Sequence, residues 1–135
     1  KESSAASDVY KRQSKYYVHY QAPDTIEAVE QVIAAGGVPV LAHPRAGKRQ
    51  RRFLSVDTIA LLKEAGLFAL EAFHPEQNPI EQAEVREIAK LLGLAITGSS
   101  DYHGSGKPNQ LGQCLTDPEV FAEICSRGAG ELVCP

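Results

Sequence analysis

Cysteine is scarce in these 135 residues: Cys114, Cys125 and Cys134 form an odd set with no metal-type spacing. That argues against a disulfide framework or a thiolate metal site and sets the expectation of reduced thiols in a cytoplasmic protein. An excess of one charge sign is lacking too. With 14 Lys and Arg against 17 Asp and Glu, the formal net charge is −3, so no basic field argues for duplex DNA as a partner. No apolar run approaches the roughly 20 residues of a membrane-spanning helix, and the polar first residues show no signal-peptide pattern. No membrane partner is expected. What is present, 43% hydrophobic and 23% charged residues, is ordinary for one modest globular domain.

The informative stretch is Leu94–Gly104, LAITGSSDYHG. A short apolar run, Leu94–Thr97, meets a Gly-Ser-Ser turn and then Asp101-Tyr102-His103. Such runs between helical patterns read as buried parallel strands, and in α/β folds the edge just past strand C-termini is where ligands bind. Asp101 and His103 either form a turn with a local Asx hydrogen bond or aim a carboxylate and an imidazole at one divalent ion. The same grammar recurs upstream. Val38–Ala42 ends in His43-Pro44, and Phe68–Phe73 ends in His74-Pro75. Three of the four histidines therefore follow three successive predicted strands. His19 lacks that context and reads as a surface residue.

Helical patterns alternate with these strands. Asp24-Thr25-Ile26-Glu27 has the form of a capping box, followed by Ile26, Val29 and Ile33 on one face and a stop at Gly36-Gly37. Ser55 or Asp57 caps a second helix carrying Ile59 and Leu62, with Leu61 a further candidate, closed by Gly66. Pro79 suits the first turn of a third, whose core stripe reads Val85, Ile88, Leu91 and Leu92 before Gly93. Asp117-Pro118 opens a last helix with Val120, Phe121 and Ile124, ended by Gly128. This order predicts an α/β fold with right-handed crossovers and about three to four parallel strands, part of a larger barrel. An incomplete barrel leaves an open edge, so the isolated chain is expected to be marginally stable or to self-associate through its first strand.

Two loops carry further candidates. Arg45–Arg52, RAGKRQRR, is either a solvated charge run or a phosphate-gripping lobe beside the strand tips, with Arg45 and Lys48 as its gripping side chains. Ser99–Gly112 holds Gly104, Gly106 and Lys107 and is either a connector or a substrate-facing loop. Glu71, inside the second strand, must meet a cation, an Arg or a backbone donor, because burying it alone costs several kcal/mol. Residues 1–13 read as disordered or non-native; DVYKRQ at Asp8–Gln13 looks like a translated transposon end of the kind used in sequencing libraries.

GGVPVLAHPR, LEAFHP and TGSSDYHGSGKPNQLG resemble the C-terminal half of PHP-domain metal-dependent phosphoesterases. The closer likeness is to the bacterial branch of nucleotide bisphosphate phosphatases and 5′-to-3′ exoribonucleases. The resemblance covers about Lys15 to the C-terminus and makes residues 14–135 the C-terminal part of a PHP domain. It implies a distorted seven-stranded β/α barrel with a metal site at the strand tips. His43, Asp101 and His103 match family metal ligands, and His74 falls in a Glu-x-x-His-Pro stretch with an implied catalytic role. Arg45, Lys48 and Lys107 would face substrate phosphate. Divalent ions are implied, Mn2+ first and Zn2+ or Fe2+ as alternatives, since mixed carboxylate and imidazole donors suit them. The implied substrate is a small phosphoester, a nucleotide or short RNA.

No His-x-His occurs in this chain. The ligands of the family's N-terminal half are therefore absent, that half is an implied partner, and the chain alone is expected to be inactive. The competing readings are a non-catalytic α/β module, or the same chemistry on another phosphomonoester such as histidinol phosphate or on a polymerase-linked DNA end.

Overall fold

A computed structural model of the protein describes residues 22–50 and 52–130. The readings on residues 1–13, on His19 and on Cys134 lie outside them. Among the described residues the elements alternate: α1 (Thr25–Ala34), β1 (Val40–Leu41), α2 (Val56–Glu64), β2 (Ala69–Phe73), α3 (Pro79–Leu92), β3 (Ala95–Gly98), a short 3-10 turn at Gly104–Gly106, and α4 (Pro118–Arg127). The strands pair in parallel in the order β1-β2-β3, with Val40 opposite Ala69, Leu70 opposite Ile96 and Glu71 opposite Thr97. This is the expected α/β alternation as an open sheet of three strands.

Leu70 and Ala72 point to one face of β2. There they join Val29 of α1, Ile59 and Leu62 of α2, and Val85, Ile88 and Ala89 of α3 in a single buried cluster. Each fully buried Leu or Ile in it contributes about 1.5–3 kcal/mol. By strand alternation Glu71 points to the opposite face.

Local chemistry explains the boundaries and several departures from expectation. β1 is two residues long, shorter than Val38–Ala42, because Pro39 has no N–H to give the ladder. Its carbonyl still accepts from the Phe68 N–H at 3.0 Å. At α1 the Asp24 carboxylate accepts from the Ile26 N–H, while Glu27 turns to Gln31, so the predicted capping box is half made. The complete box is at α3, where Asn78 accepts from the Glu81 N–H and Glu81 accepts from the Asn78 N–H. Ser55 is the cap of α2. Leu91 is 72% exposed and Ala89 takes its expected place in the core, since Val85, Ile88, Ala89 and Leu92 share the stripe facing the sheet. Ile33, Leu61 and Phe121 are exposed as well. Gly93 adopts the left-handed conformation (φ +62°) that stops α3.

Gly98 closes β3 for a different reason. A Cβ there would stand 2.4 Å from the Leu115 carbonyl oxygen and 2.9 Å from the Phe73 Cβ. The Thr116 hydroxyl bonds both the Gly98 N–H and its carbonyl, each at 3.0 Å. Gly98→Ala is expected to cost about 1–3 kcal/mol in urea denaturation, since backbone cannot yield as a flexible side chain does; an unchanged midpoint would contradict this packing. No helix among the described residues is long and apolar enough to cross a membrane.

Candidate metal centre

Three parallel strands put three C-terminal ends on one edge. β1 delivers His43, β2 delivers Glu71 and His74, and β3 leads through Ser99 and Ser100 to Asp101. Ligand atoms of His43, Glu71 and His74 lie within 4.8 Å of one another. The His43 and His74 rings are 4.9 Å apart, centroid to centroid.

The turn after β1 is held by hydrogen bonds on both sides of residue 43. The His43 N–H donates to Glu71 Oε2 at 3.0 Å, while its carbonyl accepts from the Ala46 N–H at 3.1 Å and from Gln50 Nε2 at 3.2 Å. These bonds keep His43 at φ +31°. It and Asp101 (φ +49°) are the two non-glycine residues at positive φ among those described. Such conformations cost on the order of 1–3 kcal/mol and persist where the surroundings over-determine them. Gln77 ties the loops together: its Nε2 donates to the Glu71 and Ala72 carbonyls, and its Oε1 accepts from the Arg45 N–H.

Asp101 is the electrostatic hub. Its Oδ2 receives Arg49 Nη2 at 2.7 Å and the Lys107 ammonium, and stands 3.8 Å from His74 Nε2. Lys107 above all, with Arg49, holds its carboxyl down to about 2. Arg49 also bonds Glu76, which lowers the Glu76 carboxyl. Glu71 behaves oppositely: burial pushes its carboxyl up, and the His43 N–H offsets this in part. Burial likewise pushes the His74 imidazole down.

The structure sorts the sequence candidates. His43 packs against His74, His74 faces Asp101, and Asp101 pairs with Lys107. His103 borders it, with Nδ1 3.3 Å from Asp101 Oδ1 and 2.8 Å from the Asp101 carbonyl oxygen, but its side chain is 58% exposed. Lys48 is exposed. Arg45 is not brought to the site. It is 4% exposed, and its guanidinium bonds Glu84 at 2.7 Å and the Leu54 and Pro44 carbonyls. Arg45→Met is therefore expected to lower stability by about 2 kcal/mol through lost charged hydrogen bonds, and to leave metal affinity unchanged. A loss of affinity without a loss of stability would restore the substrate-binding reading.

Sequence reasoning did not select Arg49 or Glu76 individually. Arg49 sits in the flagged basic run, but nothing in the run marks which of its side chains turns inward.

The donor set fits a divalent ion. His43 Nδ1 is buried with no hydrogen-bond partner, a defect worth about 1–3 kcal/mol that a cation would remove. Beside it lies a half-buried carboxylate whose charge is disfavoured by burial, again a deficit that a cation relieves.

No family model matches the chain. A phosphoribosyl 1,2-cyclic phosphate 1,2-diphosphodiesterase of Eggerthella lenta is 40% identical over 81 residues, 60% of this chain and 29% of that protein. A solved structure assigned as a metal-dependent phosphoesterase, from Bifidobacterium adolescentis, superposes with a TM-score of 0.79 at 39% identity, over 92% of this chain and 45% of that one. An amidohydrolase from Chromobacterium violaceum shares the fold, with a TM-score of 0.62 at 24% identity, over 87% of this chain and 42% of that one. The chain thus spans less than half the length of each. The first two of these proteins are both named for the hydrolysis of phosphoesters.

Proposed function

We propose that the protein hydrolyses phosphoesters with divalent metal held at the tips of β1, β2 and β3. The observation that carries this reading is the cluster of His43, Glu71 and His74 at one sheet edge, with an unpartnered buried nitrogen on His43 and Asp101 3.8 Å from His74. The two likenesses at about 40% identity support it.

In this reading His43 and Glu71, with Asp101 and His103, hold the metal. Mn2+ suits the mixture of borderline imidazole and hard carboxylate donors, with Zn2+ and Fe2+ as alternatives. When bound, the metal lowers the pKa of a coordinated water and neutralises charge that develops on the phosphoryl oxygens. The chain's own residues supply the rest. Arg49 and Lys107, which now neutralise Asp101, present a guanidinium and an ammonium beside the metal position, where a phosphate dianion binds. Gln77 and Gln50 hold the β1 loop so that the His43 ring stays aimed inward.

The substrate class is a small phosphoester, a nucleotide or short RNA in a cytoplasmic setting. The Eggerthella relative is named for a phosphoribosyl cyclic phosphate, and nucleotides share its phosphorylated ribose. We further propose that residues 14–135 form the C-terminal part of a seven-stranded PHP barrel, whose N-terminal half supplies further ligands.

Two measurements test this. Metal content is read on the 135-residue chain after dialysis against Mn2+. Turnover of p-nitrophenyl phosphate and bis(p-nitrophenyl) phosphate is read on the complete reading frame containing the chain. At least one bound equivalent and Mn2+-dependent turnover are expected, with His103→Ala abolishing turnover. Neither metal nor turnover would leave a non-catalytic module, and full turnover in His103→Ala would remove that residue from the site.

A further inference from the structure

We propose that His74 serves this site as a fixed hydrogen-bond donor to an anionic phosphoryl oxygen of the substrate, through Nε2–H, and not as a metal ligand. This rests on the phosphoesterase reading above and assigns a different role to one of the three clustered ligand candidates.

The argument begins with the ring's other nitrogen. His74 Nδ1 is 3.2 Å from the Glu76 backbone N–H, which donates to it. A backbone N–H has no other role, so Nδ1 must offer its lone pair. In a neutral imidazole the proton then sits on Nε2. Histidines that ligate metals are arranged the other way round: one ring N–H donates to a carbonyl or carboxylate, and that frees the opposite lone pair for the metal. His43 offers such a free nitrogen at Nδ1; the local chain at His74 withholds one at Nε2. The ring cannot easily turn to correct this. The side chain is 1% exposed, packed against the His43 ring. The Gln77 N–H and Gln82 Nε2 both donate to its carbonyl, at 3.0 and 3.5 Å.

The direction of Nε2–H gives the ligand. Its nearest acceptor is Asp101 Oδ2 at 3.8 Å, too long for a direct hydrogen bond. No described residue accepts from it. On that same oxygen converge Arg49 Nη2 and the Lys107 ammonium. A neutral buried donor and two cations are thus gathered about the carboxylate read above as a metal ligand, and once Asp101 turns to the metal the same three donors face an anion supplied from outside. Phosphoryl oxygens are the anions that such a mixture of donors recognises. A tautomer imposed by the backbone keeps the donor in place whether or not metal is present.

The test is nitrogen-15 NMR of the histidine rings in the 135-residue chain, with His74 assigned through His74→Gln. Without metal, His74 is expected to show a pyrrole-type Nε2 and a pyridine-type Nδ1. On titration with Zn2+ the His43 ring is expected to change to a coordinated pattern while His74 keeps its Nε2–H. Inorganic phosphate should then move the Nε2–H proton downfield. Phosphate affinity should fall about tenfold in His74→Ala and stay within about threefold in His74→Gln, whose amide still donates. Metal stoichiometry should match wild type in both variants.

An Nδ1–H tautomer in the free chain, loss of Nε2–H on adding Zn2+, or one metal equivalent missing from both variants would overturn the proposal. If the 135-residue wild type binds no Zn2+, its own side chains do not suffice to hold metal. The tautomer and the response to phosphate then still decide the role of His74: a pyrrole-type Nε2 that shifts with phosphate upholds it, and any other result rejects it. If His74→Ala does not fold, the wild-type spectra carry the decision.

Discussion

His43→Ala is expected to lower the affinity of the chain for Mn2+ by more than about 100-fold, since removing even an outer partner of a ligand costs 10–100-fold. The expectation rests on three features that packing does not explain. His43 Nδ1 is buried without a partner. The residue stands at φ +31°, although it precedes Pro44 and would otherwise favour extended backbone. Its N–H and its carbonyl are fixed from three directions by Glu71, Ala46 and Gln50. A strained conformation held this firmly serves the side chain it aims.

His43→Gly separates the site from the fold. Glycine relieves strain of about 1–3 kcal/mol and loses about 0.5–1 kcal/mol to the freedom of the unfolded chain, so thermal stability should hold or rise while metal affinity collapses as in the alanine variant. Calorimetric titration with Mn2+ and a melting curve read the two outcomes. Affinity within about threefold of wild type would strike His43 from the ligand set.

The positions of the histidines at strand ends were legible because short apolar runs between amphipathic helices have few structural readings, and a parallel sheet turns sequential strand ends into one edge. Contacts between distant residues were not legible. Arg45 and Arg49 lie four residues apart in one basic run, yet Arg45 is drawn under Glu84 of α3 and Arg49 is drawn to Glu76 and Asp101. The choice is made by carboxylates 27 to 52 positions away, which no local pattern announces. Glu71 was legible as a residue in need of a partner. That the partner is the His43 N–H, so that the carboxylate also braces the loop after β1, is a matter of register between β1 and β2. The left-handed conformations of His43 and Asp101 carry only a weak sequence signal, because His and Asp visit that region more than other non-glycine residues yet mostly stay out of it. The misplacement of Leu91 has the same root. A helix with apolar side chains at 85, 88, 89, 91 and 92 offers two neighbouring stripes, and the sheet selects the one through Ala89.

Glu71→Gln is expected to move stability and metal affinity in opposite directions. In the metal-free chain burial raises the Glu71 carboxyl above its ordinary value, so between the unfolded and folded pKa values the native state holds more protons than the unfolded one. Stability then falls as pH rises through that window, starting from the ordinary carboxylate range near about pH 4. The amide of Gln keeps the shape, and its oxygen still accepts from the His43 N–H, but it carries no charge to desolvate. Without metal the variant should therefore melt higher than wild type at about pH 7 and at the same temperature at about pH 4.

With Mn2+ the order reverses. The wild type gains RT ln(1 + [L]/Kd), about 2.7 kcal/mol at 100 times Kd. The variant has lost its anionic donor, binds more than about 100-fold more weakly and gains almost nothing. Melting curves at two pH values, with and without Mn2+, read all four states. A variant that melts lower than wild type without metal at about pH 7, or that still gains stability from Mn2+, would make Glu71 a brace for the His43 loop and nothing more.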